Sequence, residues 1–377
     1  MEKTKVTSEQ LFAMMTLFEL GSSLVVGLGM EAKKDAWLAI LLGWAGGMMI
    51  YFIYGSLFRH YPDLPLTGYL QKILGKYIGT ILGLIYILYF IYISSRVLRD
   101  FGELLSGSAY DQTPLFVINS LMIVTIIYVL RKGMIVLART GLLLFTLFLI
   151  LWILGNALVF ISGLVDMKNL LPILEKGWKP VLKTAFPLTY TFPFGEMIIF
   201  TMIFPYLTKP QQAIKIGWAA LTGSALLLIL TSIVNIAALG VDIASRAAFP
   251  LLATIEKVNI LNFLQRLDII VILTLIIGGF FKISLFFYAA VIGTSNLFKV
   301  KRHETLIFPI GMIILFSSVQ IASNFTEHLF EGLKVVPIYL HLPLQTGIPL
   351  LLLIIAWFRK RLNAEHPNNA SKNDNSL

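Results

Sequence analysis

The chain has 377 residues, 57% of them hydrophobic and only 13% charged, with a formal net charge of +10 and no cysteine. A soluble domain carries about 25% charged residues, so a water-soluble fold is excluded, and the absence of thiols excludes disulfides, thiol redox chemistry and cysteine-ligated zinc. The apolar residues come in blocks of roughly 18 to 25, the length that crosses about 30 Å of hydrocarbon as a helix, with no ten-residue alternation of the kind a barrel needs.

An all-α polytopic membrane protein with ten transmembrane helices is therefore expected. The opening MEKTKVTSEQLF has no small-residue cleavage site and reads as a cytoplasmic tail leading into a retained first span. The spans fall at 9–30, 36–58, 77–99, 114–130, 136–162, 185–206, 213–240, 267–297, 305–321 and 336–358. Gly43 and Gly47 in the second have small-residue spacing and predict close helix packing. Segments 165–186 and 245–267 mix apolar and charged residues and read as interfacial helices on the outer face, with 60–79 similar on the inner. The polar tail 362–377 is expected to be disordered. No loop is long enough for a soluble domain, so 1–377 reads as one transmembrane domain. Seventeen Lys and Arg residues fall on the amino-terminal side of this layout and twelve on the other. The positive-inside rule places both termini in the cytoplasm. It also explains the basic charge by orientation in the bilayer, with no nucleic-acid partner.

Ten spans divide into two sets of five, about 9–162 and 185–358, related by inversion. The first and sixth helices then correspond, and both are interrupted: ELGSSLVVGLG at 19–29 and TFPFGE at 191–196. Broken helices in hydrocarbon are tolerated only where protein or a polar cavity satisfies the freed backbone, and paired interruptions point to a midplane binding site. Glu19, Glu196 and Lys282 lie too deep to reach either interface and are expected as midplane charge or gating groups. Lys282 is expected to pair with a glutamate. Tyr92 and Ser95 share a face of the third span at i and i+3. Arg96 and Arg99, nearer its end, are expected to snorkel or to pair with Asp100 and Glu103. Asn156 and Asn235 are expected to bond between helices. The five histidines show no metal-ligand spacing and no phosphate-binding glycine loop is present, so neither metal, cofactor nor enzymatic activity is expected.

FPFGEMIIF (192–200), MIFPYL (202–207), LPLTGYLQKILGKYIG (64–79) and KKDAWLAILLG (33–43) resemble the B subunits of bacterial spore germinant receptors, in the endospore germination permease group of the amino acid–polyamine–organocation superfamily. The resemblance covers essentially the whole chain. It implies a LeuT-like 5+5 inverted repeat in the spore inner membrane, acting as a nutrient-sensing subunit that binds a small germinant such as an amino acid. It also implies assembly with a membrane A subunit and a lipoprotein C subunit. A proton-coupled amino acid transporter of the same fold is the alternative. In such a fold the ligand lies between the unwound first and sixth helices. The resemblance therefore points to Gly21, Ser22 and Ser23, and to Phe192, Pro193, Phe194, Gly195 and Glu196, with Tyr92, Ser95 and Lys282 beside them. Family members often carry Gly-x-Gly and a following proline in the first helix. Here Ser23 replaces the second glycine and no proline follows.

Overall fold

A computed structural model describes residues 6–259 and 267–365. Lys3, Lys5, the end of the 245–267 segment and the tail beyond 365 lie outside the described residues. Among those described all regular structure is helical, apart from one isolated parallel bridge between Val6 and Leu207. Helix α1 (Ser8–Leu20) starts at a capping box, in which the Thr7 hydroxyl accepts from Gln10 N and the Gln10 side chain accepts from Thr7 N. It ends at Gly21, whose backbone leaves helical geometry at φ 4°, ψ −120°. A single 3-10 turn over Ser22–Leu24 and irregular chain follow, up to the 3-10 stretch Met30–Asp35 and α2 (Ala36–His60).

Helices α3 (Leu66–Leu74), α4 (Lys76–Ser108), α5 (Leu115–Arg131) and α6 (Met134–Ile161) complete the first half. The short α7 (Trp178–Thr184) enters a second irregular region: π geometry over Ala185–Thr189, then 3-10 turns over Phe194–Met202 and Phe204–Tyr206. Then come α8 (Ala213–Leu239), the short α9 (Val241–Arg246) and α10 (Pro250–Glu256), α11 (Asp268–Phe298) and α12 (Glu304–Gln320). The chain bends by 109° after α12 into α13 (Phe325–Phe330), and π turns over Glu331–Val335 and Pro337–Gly347 lead into α14 (Ile348–Glu365).

Among the described residues six helices are long and apolar enough to cross a membrane, or seven with the bent pair around residue 320. The other predicted spans miss that measure for visible reasons. The first α-helix stops at Gly21, the sixth span is π and 3-10 turns over much of 185–206, and α5 has 17 residues. Chain turns to these local forms only where other protein groups accept its freed backbone atoms.

Helix α11 is the central post. Of its most apolar stretch 83% is buried within the protein, against 22% for α6, which presents Leu143, Ile150 and Ile153 outward. Its broadest packing is against α4, while α1 lies against α8, α6 and α11. Helix α2 closes on the second irregular region through its glycines. A Cβ on Gly43 would stand 2.3 Å from Thr189 Oγ1 and 2.6 Å from the Thr189 carbonyl carbon, and one on Gly47 2.3 Å from Phe194 Cβ. The close packing expected of these two residues is thus with Thr189, backbone included, and with the Phe194 side chain. Gly43→Ala is expected to push that backbone away at a cost of about 1–3 kcal/mol, read as a lowered melting temperature of the purified protein. An unchanged melt would show that the contact can relax.

Of the two asparagines expected to bond between helices, Asn235 does so, its Oδ1 accepting from Thr254 Oγ1 at 2.9 Å. Asn156 instead donates to Trp152 O within its own helix at 2.8 Å. Its neighbour Trp152 makes the interhelical bond, from Nε1 to Thr231 Oγ1 at 2.9 Å.

Candidate functional site

The two irregular stretches meet beside α11. There the Lys282 ammonium, with no side-chain exposure, stands 2.5 Å from Glu196 Oε2. It also lies over the rings of Phe192 at 4.5 Å and Phe18 at 5.3 Å. A desolvated cation is held by such ring faces as well as by its counter-ion. Its stem lies against the bare backbone of Gly21, where a Cβ would come within 2.6 Å of Lys282 Cδ. Glu19 is fully buried and in electrostatic reach of Lys282 and Glu196, and among the described residues neither of its carboxyl oxygens has a hydrogen-bond partner. One ammonium thus stands near two buried carboxyl groups.

A cavity of about 50 Å³ opens beside this cluster, and Ser22, Phe192 and Glu196 are in its wall. The remaining expected site residues lie around it without lining it. Ser23 donates to the carbonyls of Glu19 and Leu20, satisfying two acceptors exposed where α1 stops. Phe194 is packed against Gly47, and Pro193 leads into its 3-10 stretch. The Gly195 carbonyl accepts from Tyr54 at 3.0 Å. Ser95 returns its hydroxyl to Ile91 O at 2.9 Å, and Tyr92 accepts from Arg96 at 3.2 Å.

Four ionisable wall residues were not foreseen as site groups: Arg96, Asp100, His328 and His341. Arg96 does not snorkel. Its guanidinium is buried, donates to His328 O and Tyr92 Oη, and stands 3.4 Å from Glu331 Oε2. Asp100 meets His328 Nε2 at 2.9 Å. Arg99 does pair with Glu103, at 2.7 Å, and also donates to Val319 O at the end of α12. The i, i+4 spacing of Tyr92, Arg96 and Asp100 places all three on one face of α4, the available sequence signal for this cluster. His341 sits between Pro337 and Pro343 in the π-helical run before α14.

A wider vestibule of about 590 Å³ adjoins the cavity and shares Leu329 and Leu333 with it. Segment 325–335 is therefore the partition between the two spaces. Among the described residues four polar contacts hold it: Arg96 with the His328 carbonyl and with Glu331, His328 Nε2 with Asp100, and Lys334 with Glu31 at 3.3 Å. The floor beneath is tied by tyrosines. Tyr86 donates to Leu344 O at 2.6 Å, Tyr54 to Gln345 O at 2.7 Å, and the Gln345 amide donates to Tyr89 Oη at 2.8 Å. No group of three His, Asp or Glu residues able to hold a metal ion occurs among the described residues.

Comparison with known proteins agrees with this architecture. The crystal structure of MhsT in complex with L-phenylalanine, a LeuT-fold neighbour, matches with a TM-score of 0.70 over 93% of this chain and 98% of that one. At 14% identity it shows the fold alone. Spore germination protein KB of Bacillus subtilis (strain 168) is 46% identical over 373 residues, 99% of this chain and all of the relative. Spore germination protein YndE of the same organism is 25% identical over 87% of this chain and 89% of its own length. The family model described as "Spore germination protein" matches residues 5–326. With that match and a 46% identical relative of the same extent, this chain belongs to the spore germination permease family, as an all-helical, multi-pass membrane protein.

Proposed function

We propose that the chain is the nutrient-sensing subunit of a spore germinant receptor, binding a small germinant in the cavity between its two irregular stretches. The observation that carries the proposal is the cavity itself, walled by Ser22, Phe192 and Glu196 at the place where the Lys282–Glu196 pair is buried. Ten spans in one domain, arranged as inverted halves with the first and sixth discontinuous, are the layout that this reading carries. It is supported by the stop of α1 at Gly21 and by the π and 3-10 turns over much of 185–206. An amino acid is the ligand in the MhsT structure that shares the fold, which supports an amino acid here. Kinship with spore germination protein KB supports residence in the spore inner membrane and assembly with A and C subunits. Both termini lie in the cytoplasm in this layout. Ligand would favour one conformation of segment 325–335 by no more than its difference in affinity for the two, and the partners would read that change.

Glu19 favours a second reading. A buried carboxyl with no fixed partner is free to exchange a proton, as an amino acid/proton symporter requires. Reconstituted protein assayed for amino-acid binding and uptake side by side decides between them. Saturable binding without accumulation is expected, whereas concentrative, pH-dependent uptake would replace the sensor with the transporter.

Glu196→Gln is expected to weaken the germinant response of spores about tenfold or more, by loss of a charge-assisted contact, while the protein still accumulates in the membrane. Normal sensitivity in that variant would remove Glu196 from the mechanism.

A further inference from the structure

The carboxylates and the arginine in the cavity wall already have polar partners. Arg96 has Glu331 at 3.4 Å, Asp100 has His328 Nε2 at 2.9 Å, and Glu196 has Lys282 at 2.5 Å. Bringing a net anion or cation into such a wall would break one of these pairs and leave a buried charge uncompensated. The groups left over are of another kind. Among the described residues Ser22 Oγ has no hydrogen-bond partner, and His341, 2% exposed, has none at either ring nitrogen.

A buried imidazole with both nitrogens unmet is costly, and its position does not follow from hydrogen bonding. The ring is held edge-on against Tyr89, with centroids 5.8 Å apart at 87°, and Tyr89 is itself fixed by the Gln345 amide. The backbone nearby is pinned where Tyr86 and Tyr54 take the Leu344 and Gln345 carbonyls. Packing thus orients the ring toward the cavity and leaves both nitrogens available. An uncharged imidazole offers one N–H donor and one acceptor.

We infer that His341 anchors the ligand in this cavity, supplying a donor and an acceptor beside the Ser22 hydroxyl to a small molecule of zero net charge. The inference rests on the sensing reading above and specifies its ligand class. The apolar remainder of the wall, with Ile93, Val97, Leu333 and Val336, suits a short aliphatic portion of that molecule. Zero net charge covers two sources, a zwitterionic amino acid with an uncharged side chain and a non-ionic polyol.

The test uses the purified full chain in lipid nanodiscs, titrated calorimetrically with L-alanine, L-valine, L-serine, L-glutamate, L-lysine, erythritol and myo-inositol. The wild type is expected to bind net-neutral probes, and which of them bind distinguishes amino acid from polyol. His341→Phe, which fills the same space without hydrogen bonds, is expected to bind about tenfold or more weakly with an unlowered melting temperature. His341→Gln, which restores a donor and an acceptor, is expected to recover part of the affinity. Undiminished binding by His341→Phe, or preference for L-glutamate or L-lysine, would overturn the inference and leave the sensing reading standing. Absence of binding by the wild type to every probe would sink the sensing reading itself and this inference with it.

Discussion

Lys282→Met is expected to cost about 3–5 kcal/mol of stability, the penalty for stranding a buried charge partner. The ammonium is the one cation in contact with Glu196, at 2.5 Å, and Glu19 lies close by with no hydrogen-bond partner among the described residues. Methionine has nearly the same volume, so the stem can still lie against Gly21 and the packing of α11 is kept. The loss should therefore be electrostatic, and it should be seen as a large fall in melting temperature or in yield of monodisperse protein. The double variant Lys282→Met/Glu196→Gln should recover most of it, because replacing both members of a buried pair is often neutral. A single variant that melts with the wild type would mean that the pair serves ligand response and carries no structural weight.

The second large effect is expected at Arg96. Three groups converge on this guanidinium: the His328 carbonyl, Tyr92 Oη and the Glu331 carboxylate. It is therefore the main tie between α4 and the partition at 325–335. Charge-assisted hydrogen bonds are worth about 1.5–3 kcal/mol, so Arg96→Met should raise the open fraction of the partition about tenfold or more. The chain contains no cysteine, which makes a single introduced thiol a clean reporter. With Ser22→Cys in the cavity wall, a water-soluble methanethiosulfonate should react that much faster in the Arg96→Met background. Equal rates would show that Arg96 does not hold the partition closed. Glu331→Gln should have a smaller effect, since that carboxylate is 35% exposed and a solvated pair contributes at most about 1 kcal/mol.

The parts of this architecture that were legible beforehand were those written in local chemistry. Glycine and serine at 21–23 fall where α1 stops, and TFPFGE at 191–196 falls where the chain passes from π to 3-10 turns, as Gly and Pro in an apolar run favour. Lys282 announced its own pairing, because an unpaired ammonium at that depth is too costly to keep. Which glutamate it would choose was not legible, since Glu19 and Glu196 are equally deep and only the fold sets their distances. The wall opposite was hidden for a different reason. Arg96 lies near the end of its predicted span, where a long basic side chain usually reaches water. The real helix α4 runs on to Ser108 and keeps Arg96 inside. His328 and His341 come from a segment far along the chain, and no spacing rule connects them to α4. The hydroxyls of Ser23 and Ser95 donate to backbone carbonyls four residues earlier, those of Glu19 and Ile91.

The tyrosine ties at Leu344 and Gln345 make the helical rod above them a lever. Tyr54 and Tyr86 fix its fulcrum from two sides, and the π-helical run from Pro337 to Gly347 gives it a compliant base. Glu331 lies fourteen residues up the rod, so a tilt about this fulcrum carries it farther than any residue nearer the base. His341 sits only four residues from the fulcrum and moves little. A small molecule that nudges the short arm beside His341 would thus be read, amplified, at the long arm.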